Sequence, residues 1–516
     1  MFPVEISRRL SVHRCPLPVF FWIPFVTISH GQVRSAISGS LFPLRLSDFE
    51  FYMLSDDRPT HPMVFVMVVH VSGALTESCF RDSLTELVTS NPLLNCRIEK
   101  VDGKTWCWTP ITSTLDVLKW NPAADEIVRN HVPRVCALDI HNQRGIQVQV
   151  LAGSDRSQVV IYLHHACCDG IAALQLVGEL FARYGQKTAA PDAKRPEFDL
   201  MKPEVLRQRE NYETGAAASQ RQKKSLTRVI GKVARLLLRA PVMLAGSNDR
   251  QKNDAVTDQA NSSSGSTINS LAIQSRVLPK AIHRSLRGAA LQLGVSINDL
   301  FICEMTLQIR DWNRRAGLRS GRRWIRLAIP LSMRTGFHES MPAANVVSYA
   351  LITRREQDCD DPAKLLRSIH QQTSDVLFNR EGIVCLKLFR VLRKIPGAMK
   401  LFLSFKTVLS TMVLANIGDV RRRFNGRFPL LKGRWVAGNV LIEQIHGVAP
   451  VRPNTRAAMS IGDYAGDLSI SLRTDGEILN EEDSLLFLNE FLDRLQTLAN
   501  QAGHVADKPD DSSESD

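Results

Sequence analysis

The chain has 516 residues, more than one ordinary domain, and its 44% hydrophobic and 23% charged content is that of a folded protein. That composition excludes a mainly disordered, collagen-like or coiled-coil chain. The absence of any uninterrupted apolar run of about 18 residues excludes a standard membrane-spanning helix. The net charge of +13 comes from 65 Lys+Arg against 52 Asp+Glu, and it is unevenly distributed.

Residues 1–40 read as a poorly ordered extension. The apolar stretch 17–28 follows Arg8, Arg9 and Arg14 as a secretory signal would, but Pro16, Pro18 and Pro24 interrupt the helix that such a core needs. From Leu41 the pattern strengthens. Met63–Val71 predicts a buried strand, and Ser78–Ser90 a helix ended by Asn91-Pro92. Ile146, Val148 and Val150 alternate with Gln147 and Gln149, which is the mark of a half-buried strand. A second strand is expected over Gln158–His165, and a helix from about Ile171 to Tyr184.

Residues 191–270 break this pattern. Positions 201–252 hold twelve Lys/Arg against four Asp/Glu. Leu226–Leu244 has the spacing of a basic amphipathic helix, either a solvated helix over an inter-domain surface or a contact with an anionic membrane. No aromatic residue interleaves the basic ones between 213 and 252, so nucleic-acid stacking has no support. Asn261–Ser270 reads as a flexible linker. The α/β pattern then restarts. Helices are expected over Lys280–Leu293 and from a Ser296 cap to Arg315, strands over Ile325–Pro330, Asn345–Ile352 and around Leu468–Leu472, and a last helix from near Asn480. The expected organisation is α/β with mixed sheets: one lobe over 41–190, a basic linker over 191–270, a second lobe over 271–503, and an acidic disordered tail over 504–516.

Ten cysteines are scattered without CxxC or zinc spacing, and they read as reduced, buried thiols of a cytoplasmic protein. The richest stretch is His164-His165-Ala166-Cys167-Cys168-Asp169-Gly170. Side chains alternate along a strand, so His164 and His165 point to opposite sides, one inward and one toward a cleft. A histidine there has the pKa to accept a proton from an alcohol or amine at neutral pH. Asp169 either orients that imidazole or pairs with a buried arginine, and Gly170 permits a tight turn. Adjacent strand residues do not ligate one ion easily, so no metal is expected. On the residues alone, a histidine pair of this kind also fits a purely structural role, as Asp299 fits a capping box with Ser296.

The heptad resembles HHxxxDG, the signature of the CoA-dependent acyltransferase superfamily, which spans chloramphenicol acetyltransferase, condensation domains and the wax ester synthase/diacylglycerol acyltransferase family. Leu46–Met63 (LSDFEFYMLSDDRPTHPM) and Val295–Trp312 (VSINDLFICEMTLQIRDW) resemble the last of these. Ile329–Arg334 (IPLSMR), Ala415–Gly418 (ANIG) and Asp467–Leu498 resemble further superfamily stretches. Ala137–Val148 departs from the Pro-Leu-Trp stretch usual in the wax ester group. The resemblance implies two pseudo-symmetric lobes with an active-site tunnel between them, and His165 as general base for direct attack of an acceptor on an acyl thioester. It implies a structural His164, and Asp169 paired with Arg334. It places Asn298, Asp299, Arg334, Asn416 and Gly418 near the substrate tunnel. The chain contains no GxSxG nucleophile elbow, in keeping with direct attack. The function expected from this is O-acyl transfer from acyl-CoA, a co-substrate with no bound cofactor, to a long-chain alcohol or diacylglycerol. The protein is expected to be a monomer that makes peripheral contact with anionic membrane and does not bind nucleic acid. The alternatives are a condensation-type enzyme with a carrier-bound donor, and a non-catalytic protein that keeps the fold.

Overall fold

Sixteen strands and ten helices are placed in a computed structural model that describes residues 40–212, 231, 239–249, 273–318, 323–378, 380, 382–404 and 409–506. In chain order the first half holds β1 (Leu44–Arg45), α1 (Asp48–Asp56), β2 (Val64–Ser72), α2 (Glu77–Ser90), β3 (Cys96–Val101), β4 (Thr105–Pro110), β5 (Leu118–Pro122), α3 (Asp125–Asn130), β6 (Ile146–Ala152), β7 (Arg156–His164) and α4 (Gly170–Thr188). The second half begins with β8 (Gln274–Leu278), α5 (Lys280–Gln292), α6 (Ile297–Arg315), β9 (Trp324–Ser332), β10 (Val347–Arg355), α7 (Pro362–Phe378), α8 (Gly382–Lys394) and α9 (Ala398–Ser404). It ends with β11 (Met412–Asp419), β12 (Leu430–Leu431), β13 (Arg434–Ala437), β14 (Val440–Val448), β15 (Ala457–Tyr464), β16 (Asp467–Thr474) and α10 (Glu481–Ala506).

Two large mixed sheets carry the structure. One has the order β12-β13-β14-β2-β7-β6-β5, the other β10-β9-β11-β15-β16-β8, and β1, β4 and β3 form a small third sheet. The sequence of β2, VFVMVVHVS, is apolar on nearly every residue because the strand lies between β14 and β7 and is buried on both faces. Nearer the edge, β6 alternates buried and half-buried residues, as its Val/Gln pattern requires. Helix α6 starts where Ser296 and Asp299 close a reciprocal capping box.

The expected lobe boundaries do not follow the chain. Strands β12–β14 come from residues 430–448 yet lie in the sheet built by the first half, where β14 pairs antiparallel with β2 from Leu441↔Ser72 to Val448↔Val66. The physical reason is the apolar edge of β2, which must be covered. Leu386, Phe389, Met399 and Leu403 of α8 and α9 also join the core of the first sheet. The helix expected through Leu244 is absent at its end. Pro241 bridges Trp324, the Val242 amide donates to the Trp324 carbonyl at 2.8 Å, and Leu244 is buried in the second core. A proline cannot continue the helix there. The rest of that helix apart from Gly231, Arg239 and Ala240, the 261–270 linker, residues 1–39 and residues 507–516 lie outside the described residues. The final helix runs to Ala506, past the expected end of the second lobe at 503. Among the described residues no helix is long and apolar enough to cross a membrane.

The two sheets meet at a pair of histidines. His70 of β2 and His446 of β14 stack with ring centroids 5.4 Å apart and Nε2 atoms 3.2 Å apart. His446 Nδ1 lies 3.0 Å from Ser275 Oγ of β8 and 3.2 Å from Ser471 Oγ of β16. Burial drives the pKa of His446 down to about 3, helped by His70, and burial lowers His70 as well. Both rings are therefore neutral in the folded protein, whereas the unfolded chain takes up protons near pH 6.5. Stability is expected to be unaffected by this pair above pH 6.5 and to fall as pH drops from 6.5 toward 3. Urea midpoints measured across that window should decline, and His446→Gln should flatten the decline. An unchanged slope in that variant would refute the assignment.

Candidate active site

The site lies where β7 delivers its C-terminal end to α4. The His165 amide donates to the Met63 carbonyl at 2.7 Å, and the chain then turns as the Cys167 amide donates to the His164 carbonyl at 2.9 Å. Asp169 is the N-cap of α4, its Oδ1 accepting from the Ala172 amide at 3.0 Å. Its Oδ2 accepts from Arg334 Nη1 and from the Val346 amide, both at 2.8 Å. Asn345 Nδ2 donates at 2.7 Å to the carbonyls of both His165 and Ala166, and Arg334 Nη2 donates to the Ala344 carbonyl at 3.1 Å. The 165–170 turn is thus bolted to the segment between β9 and β10, which belong to the other sheet. Burial alone would raise the Asp169 carboxyl. The Arg334 guanidinium and the hydrogen bonds from Arg334, Val346 and Ala172 outweigh it and hold the group below the ordinary carboxylate value.

The two histidines have different surroundings. His164 is fully buried, its Nδ1 accepts from the Ala166 amide at 3.1 Å, and its Nε2 lies 3.4 Å from Asp57 Oδ2, within ion-pair distance but without hydrogen-bond geometry. Accepting at Nδ1 assigns the neutral ring's proton to Nε2. The His165 ring lines a cavity of 210 Å³ and packs edge-on against Phe65 with centroids 5.1 Å apart. Its Nδ1 is buried without a hydrogen-bond partner of regular geometry. Burial lowers its pKa; its own backbone carbonyl and the charge on Asp169 offset this only in part. The imidazole is therefore unprotonated at neutral pH, the state a general base needs.

Strands from both sheets wall this cavity, through Phe65 and Met67 on one side and Tyr349, Val413 and Ala415 on the other. A second, largely apolar cavity of 480 Å³ shares Tyr349, Val413 and Arg452 with it and extends under α8 and α9 to Leu388, Phe389 and Phe402. Its size is within the roughly 300–1,000 Å³ usual for small-molecule sites. At the junction Arg452 pairs with fully buried Asp56 and lies 5.6 Å from the centre of the Tyr52 ring. Burial would lower Arg452, but Tyr52 and Asp56 reverse the effect and raise it.

Of the residues expected near the tunnel, Arg334 and Asn416 line the His165 cavity, as do Asp169 and Gly170. Asn298, Asp299 and Gly418 are not among its lining. Asp299 is buried and occupied by the α6 cap, by His370 Nδ1 at 2.9 Å and by Thr373 Oγ1 at 2.6 Å, so its carboxylate has no face left for substrate. Asn298 Oδ1 lies 3.4 Å from Asn416 Nδ2, one shell behind the wall. Gly418 serves the backbone: its φ of +67° takes the bulge in the pairing of β11 with β15. Gly170 makes no tight turn; it is the first residue of α4, and an added Cβ would lie 3.7 Å from Ile417 Cγ2, an ordinary contact. Asn345, Tyr349 and Arg452 were not anticipated, since no local spacing marks them; only the fold brings Tyr349 and Arg452 to the cavity and Asn345 to the His165–Ala166 carbonyls.

No family model matches the chain, and no curated protein matches it in sequence. Solved structures do match in shape. The first condensation domain of the calcium-dependent antibiotic synthetase, in complex with substrate analogue 3a, has a TM-score of 0.59 at 14% identity, covering 88% of this chain and 96% of that one. Polyketide synthase associated protein 5 from Mycobacterium tuberculosis has 0.57 at 15% identity, with 89% and 98% covered. TRI3 trichothecene 15-O-acetyltransferase from Fusarium sporotrichioides has 0.59 at 10% identity, with 88% and 94% covered. At such identities the likeness is one of fold, a two-lobed mixed α/β architecture shared with condensation domains.

Proposed function

We propose that the chain is an acyltransferase in which an acceptor hydroxyl attacks an acyl thioester directly, with His165 as general base. The observation that carries this reading is the His165 ring lining a cavity walled by both sheets, on a turn fixed by Asp169 and Arg334, and burial that lowers the ring's pKa supports it. The acceptor O–H gives its proton to the imidazole as its oxygen bonds to the thioester carbonyl carbon. The tetrahedral adduct then expels the thiolate, which takes the proton back from His165. The products are an ester and a free thiol, and the ring returns to its starting state. The apolar cavity that shares its wall with the His165 cavity supports an apolar chain on one substrate, in keeping with an acyl-CoA donor and a long-chain alcohol or diacylglycerol acceptor. The likeness in fold to condensation domains supports a second reading with the same chemistry and a carrier-bound thioester as donor.

The test follows free thiol release from palmitoyl-CoA with hexadecanol, diacylglycerol, a short alcohol or an amine. Acceptor-dependent release is expected, greatest with an apolar hydroxyl acceptor. Release only from an acyl-phosphopantetheinyl carrier would select the second reading, and no transfer from either donor would defeat both.

A further inference from the structure

The outer side of α8 and α9 differs from their cavity side. Residues 382–404 contain Lys387, Arg390, Arg393, Lys394 and Lys400 and no Asp or Glu. Among the cations three aliphatic side chains stand in solvent, Val391 at 39% exposure, Ile395 at 55% and Leu401 at 59%. Arg390 and Lys394 are one helical turn apart on α8 and so share a face, and Ile395 follows directly after the helix end. Exposed aliphatics ringed by lysine and arginine on a helix are the pattern of an interfacial surface rather than of a solvated one.

Beside this ridge lies a surface pocket of 690 Å³ between the C-terminal end of α8 and the β3–β4 hairpin. Six cations line it (Arg45, Lys100, Lys104, Arg390, Arg393, Lys394) against two carboxylates, Asp48 and Glu210. Asp48 is already engaged by Arg390 at 2.8 Å and Arg393 at 3.5 Å, and Glu210 Oε1 accepts from the Asp48 amide at 2.9 Å. Arg45, Lys100, Lys104 and Lys394 make no ion pair with a carboxylate among the described residues. Asp102, at the hairpin tip, does not line the pocket. The geometry therefore offers several phosphate-sized anions a basic seat flanked by protruding aliphatic groups.

We propose that this face docks on an anionic phospholipid bilayer, with lipid phosphates in the basic pocket and Val391, Ile395 and Leu401 entering the headgroup layer. Charge complementarity and the aliphatic ridge favour a bilayer over an acidic protein, which would leave the ridge unpaired. The same two helices contribute Leu388, Phe389 and Phe402 to the lining of the largely apolar cavity, so one helix layer borders both the docking face and the cavity. For the acyltransferase reading, on which this last point alone rests, the arrangement supplies an apolar acceptor from the membrane.

Flotation of the full chain with phosphatidylcholine vesicles, with and without 30 mol% phosphatidylglycerol, tests the docking independently of turnover. Binding is expected only to the anionic vesicles and is expected to weaken with salt. Each lysine near an anionic surface is worth about fivefold, so Lys100→Gln/Lys104→Gln/Lys394→Gln should weaken binding about a hundredfold. Ile395→Asp/Leu401→Asp should weaken it at least tenfold, and unchanged circular dichroism confirms that both variants are folded. Parental vesicle binding by both variants would overturn the proposal, because lipid would then be held elsewhere, as by the basic residues of 213–252. It would equally be overturned if the parent ignored vesicles but bound adenosine 3′,5′-bisphosphate or an acidic carrier protein through these lysines. Docking without any acyl transfer would leave the membrane face standing and remove the acyltransferase reading.

Discussion

With His165 replaced by Ala, thioester-dependent acyl transfer is expected to fall by about 10²–10⁴-fold, the contribution of a positioned general base. The melting temperature is expected to stay close to that of the parent. The ring loses its contacts with Phe65 and Phe49, but the substitution also removes a buried Nδ1 that has no regular hydrogen-bond partner. Removing an unsatisfied polar atom relieves a cost of the same order as the packing lost. Donor binding should persist, since the side chain acts on the acceptor proton. The pH profile adds a second readout. Burial places the His165 pKa below the ordinary 6.5, so the acid limb of kcat/KM should lie below pH 6.5 rather than on it. Full turnover in His165→Ala, or an acid limb above 6.5, would remove the residue from the reaction.

Asp169→Ala is expected to act mainly on the fold, by about 3–5 kcal/mol, the cost of breaking a buried ion pair by deleting one partner. The substitution leaves Arg334 without its partner and strips the acceptor from the Val346 and Ala172 amides, so two segments and a helix cap fail together. Arg334→Ala should be the milder change, because Asp169 keeps both amides and can take a proton. The double substitution should cost less than the sum of the singles, since the two groups share one interaction. Urea denaturation of the three variants measures this, and additive costs would show that the pair is not coupled. Residual activity per folded molecule should stay well above that of His165→Ala, because Asp169 has no direct contact with the reacting atoms.

Much of the fold was readable where a single element carries its own periodicity. The paired strands at 146–150 and 158–165, the Ser296 cap and the last helix follow from spacing and capping chemistry that act within a few residues. The crossing of 430–448 into the first sheet was not readable, because strand partners are chosen by long-range burial that leaves no local mark. The same limit separates the site residues. His165 and Asp169 stand four positions apart on one turn and announce themselves together. Tyr349 and Arg452 come from segments about a hundred residues apart and share only a destination. Asp299 fits both a helix cap and the tunnel on sequence, and the structure shows the cap, which together with His370 and Thr373 occupies its carboxylate.

The route of β14 into the first sheet also sets a timetable for synthesis. When residues 41–212 have left the ribosome, β2 has β7 on one side and nothing on the other, and its open edge is a nine-residue stretch that is almost wholly apolar. The strand that closes it lies more than two hundred residues further on, about ten to forty seconds of translation at 5–20 residues per second. Through that interval the nascent chain presents a template for pairing with any other extended segment. Neither half is therefore a self-sufficient product. A chain cut at 212 should collect in the insoluble fraction, and co-expression with 213–516 should return it to solution. For this architecture the unit of folding is the full length from β2 to β14.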